Sequence, residues 1–149
     1  MNLSHILVAT DLSREAMSCI PHVAGLARLV EARITLLHVV ESLETIPHGS
    51  PLAPRQGPPD DKAAIEAARA QLDERRTAFG SDVHIDVALV TGGDAAEAIT
   101  SYADANAVDL IAMTTHGRTG FRRLALGSVA EAVMRQSRVP VLILPLPKA

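Results

Sequence analysis

The sequence predicts an α/β fold, a parallel sheet with helices on both faces. Short apolar runs of strand length recur at residues 4–10, 33–40, 83–90, 108–113 and 139–144, and segments of helical spacing separate them. Several of these runs, such as Ile34-Thr-Leu-Leu-His-Val-Val40, are apolar almost throughout, as suits strands covered on both faces. Aromatic residues make up only 2% of the chain, so the core must be built from Val, Leu, Ile and Ala.

Each element has its own signal. The first strand, 4–10, is closed by Asp11-Leu12-Ser13, residues suited to capping the helix that follows. Residues 14–31 form that helix, with Ala16, Ile20, Val23, Ala24, Ala27 and Val30 at helical spacing. Pro21 lies inside it and kinks it or shortens its regular part. After the second strand, 33–40, residues 41–61 carry five prolines (47, 51, 54, 58 and 59) with Gly49 and Gly57. This is a loop longer than most connections in compact domains, an insertion or a lid. Residues 62–79 return to helix, with Ala64, Ile65, Ala68 and Leu72 on one face. The third strand, 83–90, alternates around Ile85, Val87 and Leu89. A helix over 94–106 opens on Asp94 with Glu97 three residues on, a capping box. The fourth strand is 108–113, the last helix 128–136, and the fifth strand 139–144 stops at Pro145 and Pro147. At 149 residues the chain reads as one domain.

Composition excludes several function classes. A net charge of -3 gives no basic footprint for nucleic acid, and the few aromatics give no stacking platform for single strands. No apolar run approaches the roughly 20 residues that span a bilayer. Cys19 stands alone, so no internal disulfide forms, and the N-terminus lacks the regions of a secretion signal. These features lead to the expectation of a cytoplasmic protein.

In open parallel sheets, ligands bind beyond the C-terminal ends of the strands where the winding reverses. Here those ends carry Thr10-Asp11, Val39-Val40 and Met113-Thr114, and a Gly- and Arg-rich loop, 117–128, lies at the same edge. Gly127-Ser128 stands where the last helix begins. A helix N-terminus offers unpaired N–H groups and a positive dipole end, and glycine permits close backbone approach, so the pattern points to a phosphate-bearing ligand. Asp11 suits a sugar hydroxyl or an amine, and equally suits capping of the next helix. Ser128-Val-Ala-Glu131 fits a capping box, which leaves other first-turn N–H groups for a ligand. Arg118, Arg122 and Arg123 are of the type that clamps phosphate, although loop arginines are more often simply solvated. His116 contacts phosphate or orders the loop. It has no acid or base beside it in sequence, and no catalytic role is assigned to it.

Other chemistries lack their motifs. The chain has no Gly-x-x-x-x-Gly-Lys-Ser/Thr, no Gly-x-Gly-x-x-Gly after the first strand and no Gly-x-Ser-x-Gly elbow. Pro145 stands where a receiver domain needs Lys, and the histidines show no metal-ligand spacing.

The full length resembles the universal stress protein family. The resemblance is carried by Ile6-Leu-Val-Ala-Thr-Asp-Leu-Ser13, Leu36-Leu-His-Val39, Thr115-His-Gly-Arg-Thr-Gly120, Leu126-Gly-Ser-Val-Ala-Glu131 and Val139-Pro-Val-Leu-Ile143. It implies an open five-stranded parallel sheet of order 3-2-1-4-5, Rossmann-like and close to the adenine nucleotide alpha hydrolases, and a homodimer. The ATP-binding branch carries Gly-x-x-Gly, nine residues, then Gly-Ser/Thr. Gly117 and Gly127-Ser128 fit that spacing, while the first glycine falls on Thr114, which puts a Cβ where close approach is expected. By resemblance Asp11 lies near adenine or ribose, with Thr10 beside it, and Ala9 and Val39 line the adenine pocket. Gly117, Arg118, Gly127, Ser128 and Val129 hold ribose and phosphates, with Met113, Thr114, His116 and Gly120 in the same constellation. The implied ligand is ATP, with Mg2+ carried by the phosphates rather than by a protein cluster. The expected dimer edge is Val139, Val141, Leu142, Ile143 and Leu144, an uncharged strand open to pairing across a two-fold axis.

The leading expectation is thus an ATP-binding stress-response regulator or nucleotide sensor, with at most slow hydrolysis. A nucleotide-independent dimeric interaction module is the alternative, motivated by Thr114 and the Pro-rich loop. A turnover enzyme ranks last, because no activated nucleophile or acid/base pair is visible.

Overall fold

A computed structural model of the chain describes residues 3–41, 61–115 and 126–145. The Pro-rich stretch 42–60 lies outside the described residues, as do His116, Gly117, Arg118, Gly120, Arg122 and Arg123. Along the chain run β1 (His5–Ala9), a 3-10 turn (Ala16–Cys19), α1 (Ile20–Val30), β2 (Arg33–Glu41) and α2 (Asp61–Arg76). A second 3-10 turn (Thr77–Phe79) follows, then β3 (Ile85–Gly92), α3 (Ala95–Ala105), β4 (Leu110–Thr114), α4 (Ser128–Gln136) and β5 (Val141–Leu144). The five strands form one sheet of order β3-β2-β1-β4-β5. Every pairing is parallel, with Ile6 opposite both Ile34 and Leu110, Ile34 opposite Ile85, and Ile111 opposite Val141.

Two apolar layers sandwich the sheet. Ile6, Val8, Ile34, Leu36 and Ala112 point to one face and pack with Val23, Ala24 and Ala27 of α1 and Ala68 and Leu72 of α2. Leu7, Ala9, Leu37, Ile111 and Met113 point to the other and pack with Ala96, Ile99 and Ala103 of α3 and Ala130 and Val133 of α4. The alternation of successive side chains across the pleat produces this division, and the continuous apolar runs follow from it. Phe79, 1% exposed, is the bulkiest fully buried side chain in the first layer.

Several boundaries differ from the sequence reading for local reasons. Pro21 is the second residue of α1, where its missing N–H costs nothing, so of the two expected outcomes the regular helix is shortened, to Ile20–Val30, rather than kinked. The residues before it form the short 3-10 turn. Val108 lies in the turn between α3 and β4 rather than in the strand, its N–H bonded to the Ala103 carbonyl at 3.2 Å after Ala107 turns through φ +50°. Val139 lies before β5: its N–H and carbonyl both bond Ser137 Oγ, and Pro140 then precedes the strand.

At the N-terminal edge of the sheet, His5 is 2% exposed. Its Nδ1 meets the Asn106 carbonyl at 3.2 Å and its Nε2 meets Thr35 Oγ1 at 2.8 Å. The carbonyl can only accept, so Nδ1 carries the proton and the Thr35 hydroxyl donates to Nε2. Burial, reinforced by Arg33, pushes the His5 pKa below its usual value. Asp109 joins β4 to β1 by accepting from Ser4 N, Ser4 Oγ and His5 N at 2.8–2.9 Å, and these bonds hold its carboxyl below the usual range. The free Cys19 thiol is buried beneath α1, and desolvation raises its pKa to about 11.

Candidate functional site

The sheet order puts the reversal of winding between β1 and β4, and the main cavity opens there, at the C-terminal edge. Its volume is about 590 Å3, within the range of about 300–1,000 Å3 usual for small-ligand sites. Ala9, Thr10 and Asp11 of the β1 exit form part of its wall. Leu37, His38, Val39 and Val40 come from β2, Met113, Thr114 and Thr115 from the β4 exit, Ala95 and Ile99 from α3, and Ala16 from the first 3-10 turn. Gly127, Ser128, Val129 and Ala130 close it with the first turn of α4.

The α4 end of the cavity presents the N-terminus of a helix. Gly127, not Ser128, is the N-cap, and among the described residues no side-chain capping bond is made to the helix. This corrects the capping box expected over Ser128–Glu131: Ser128 is the first helical residue, and the Glu131 carboxylate pairs with Arg135 at 2.6 Å instead. Gly127 has φ -59° and ψ 147°, a conformation open to any residue, so its glycine is not demanded by backbone angle. The Gly127 N–H bonds the Thr115 carbonyl at 2.7 Å, and the Thr115 N–H bonds the Leu144 carbonyl at 3.2 Å. Those two bonds tie the β4 exit to the start of α4 and to β5.

The β1 end is held by local hydrogen bonds. Asp11 Oδ1 accepts the Ser13 N–H at 2.9 Å, and Ser13 Oγ accepts the Ala16 N–H at 3.0 Å. Ser13 rather than Asp11 therefore caps the helical segment. Leu12, 7% exposed, sits at φ +65°, a left-handed conformation that costs a non-glycine residue about 1–2 kcal/mol. Thr10 Oγ1 accepts its N–H at 3.0 Å, and Arg75 of α2 donates to its carbonyl. His38 Nδ1 donates to the Thr10 carbonyl at 2.8 Å.

Of the residues expected from the sequence, Ala9, Thr10, Asp11, Val39, Met113, Thr114, Gly127, Ser128 and Val129 all line this cavity. His38, Ala95, Ile99 and Thr115 line it unforeseen. His38 lies one residue from Val39, and its position in the strand was the available signal. Ala95 and Ile99 arrive only because α3 crosses the sheet. Thr114, at the last position of β4 and 7% exposed, puts its side chain in the cavity wall.

The family model described as "Universal stress protein family" matches residues 2–145. The chain belongs to that family. A curated universal stress protein of Methanocaldococcus jannaschii is 29% identical over 143 residues, which cover 96% of this chain and 82% of that protein. A universal stress protein from Archaeoglobus fulgidus, solved in complex with dAMP, matches with a TM-score of 0.64 at 24% identity, over 96% of this chain and 98% of that one. A universal stress protein solved in complex with cAMP matches with a TM-score of 0.68 at 21% identity, over 99% and 100%. At these identities the two structures bear on the fold. As a universal stress protein, the chain keeps the open sheet of order 3-2-1-4-5 that the resemblance implied.

Proposed function

We propose that this universal stress protein binds an adenine nucleotide, ATP first among them, in the cavity between β1, β4 and α4. In this reading it acts as a cytoplasmic stress-response regulator or nucleotide sensor rather than as a turnover enzyme, with at most slow hydrolysis. The observation that carries the reading is the N-terminus of α4, without a side-chain cap among the described residues, opening on the same cavity as Asp11. Helix N–H groups and the positive dipole end suit phosphates, and a carboxylate lining the same cavity suits ribose hydroxyls or the base amine. Solved family members in complex with dAMP and with cAMP support the ligand class. The cavity is large enough, and its mixture of apolar wall and few polar groups fits a purine nucleoside. Mg2+ would ride on the phosphates. The loop residues His116, Gly117, Arg118 and Gly120 complete the proposed constellation, with Thr114 at the place of the family pattern's first glycine.

We further propose a homodimer of single-domain protomers through the β5 edge. The Ile111 N–H bonds the Pro140 carbonyl and the Thr115 N–H bonds the Leu144 carbonyl, so the peptide groups at 140, 142 and 144 face β4. Those at 141 and 143 alternate outward, toward a partner's edge.

The deciding experiment is analysis of small molecules released on denaturing the purified protein, followed by calorimetry with Mg-ATP. Bound ATP or micromolar affinity supports the reading. A well-folded dimer with no nucleotide and no heat overturns it and favours an interaction module.

A further inference from the structure

Two peptide carbonyls flank Asp11, those of Thr10 and Leu12, and each is held by a side chain from a distant element. His38 of β2 donates Nδ1–H to the Thr10 carbonyl at 2.8 Å, and Arg75 of α2 donates to the Leu12 carbonyl. The β1–β2 ladder ends at Ala9 opposite Leu37, so the His38 imidazole takes the Thr10 carbonyl where the ladder would otherwise continue. Leu12 is in the left-handed region at φ +65°, and both its polar groups are pinned, the N–H by Thr10 Oγ1 and the carbonyl by Arg75. A backbone outlier of this kind persists only where its surroundings over-determine it, and such outliers gather at ligand sites. Arg75 also carries an unusual cost for a purely structural brace: its Nε is buried and has no hydrogen-bond partner.

We infer that His38 and Arg75 are positioning residues of the nucleotide site. They fix the peptides on either side of Asp11 and so aim its carboxylate at the hydroxyls of the sugar. The inference rests on the nucleotide reading above and adds what selects the sugar. Arg75 does not line the cavity, and it acts through Leu12. His38 lines the cavity, and it acts through Thr10.

The test is calorimetry with ATP and with 2′,3′-dideoxy-ATP, alongside thermal melting, on the full chain and on the variants His38→Leu, His38→Asn and Arg75→Met. Misaiming one charge-assisted hydrogen bond weakens ATP by about tenfold, while dideoxy-ATP, which lacks the hydroxyls, changes by less than about twofold. His38→Asn, whose side-chain amide N–H can stand in for Nδ1–H, restores ATP binding. Arg75→Met leaves the Leu12 carbonyl without its donor, so it lowers the melting temperature as well as ATP affinity, and a loss of affinity confined to ATP separates the two effects. Unchanged ATP affinity in both His38→Leu and Arg75→Met overturns the inference. So does equal weakening of both ligands, or equal affinity of the unsubstituted protein for the two. If the unsubstituted protein binds neither ligand, the nucleotide reading falls and this inference falls with it.

Discussion

Substituting Ser128→Asp should strengthen the fold and weaken the ligand together. Ser128 is exposed, is the first residue of α4, and contributes no capping bond, so removing its hydroxyl sacrifices nothing in the helix. A carboxylate in the first turn interacts favourably with the helix dipole, by about 0.3–1 kcal/mol. The same carboxylate lines the cavity beside the proposed phosphates. For two unit charges about 5 Å apart, repulsion is roughly 0.8 kcal/mol in bulk water and about 3.3 kcal/mol at an effective dielectric of about 20. Affinity for ATP should therefore fall by about 4-fold at least and by up to about 250-fold. Thermal melting of the apo protein and calorimetry with Mg-ATP, both at low salt, read the two effects. A variant that melts as high as the parent and binds ATP equally well would show that no phosphate lies at α4, and the placement would be wrong.

Two further outcomes test other parts of the account. Ile143→Pro removes an N–H that faces away from β4, so β5 keeps its ladder and the dimer should dissociate; light scattering that still finds a dimer at micromolar concentration assigns the contact elsewhere. Acid should destabilise the protein through His5. Its folded pKa lies below the unfolded value, so the unfolded chain binds more protons and the stability present above about pH 6.5 is lost as pH falls. Denaturant titrations at pH 7.5 and 5.5 should show a smaller loss in His5→Gln than in the parent, and identical losses would reject His5 as the source.

The fold was legible because the apolar pattern has few alternatives. Runs such as Ile6-Leu-Val-Ala9 can be buried only as strands covered on both faces, and the alternation of Leu7 with Val8 then assigns each to its layer. Boundaries were less legible where backbone geometry decides. Nothing in Ala107-Val108-Asp109 announces that Ala107 turns left-handed and draws Val108 back onto α3. Ser128 shows the same limit: its capping-box spacing is satisfied in sequence, yet the chain enters α4 one residue earlier, through Gly127. In the cavity, residues at strand ends were readable because position along the strand determines them. Arg75 was not, because its reach to Leu12 across 63 residues depends on how α2 lies on the sheet.

On the proposed reading the two ends of the cavity respond to different physics. The α4 end would act through charge. A change there should scale with the charge of the ligand, so Ser128→Asp should penalise ATP more than ADP and ADP more than AMP. The penalty should shrink with added salt, since exposed charges are screened over about 10 Å at 0.1 M. The β1 end would act through the direction of hydrogen bonds fixed by His38 and Arg75, both part-buried. A change there should follow the sugar hydroxyls and be indifferent to phosphate number and to salt. Ser128 and Asp11 line one cavity from different elements, α4 and the β1 exit, so Ser128→Asp and His38→Leu should lower ATP affinity additively in free energy. Strong coupling between them would mean that one group of the ligand touches both ends, and a nucleotide spread from α4 to β1 would no longer account for the site.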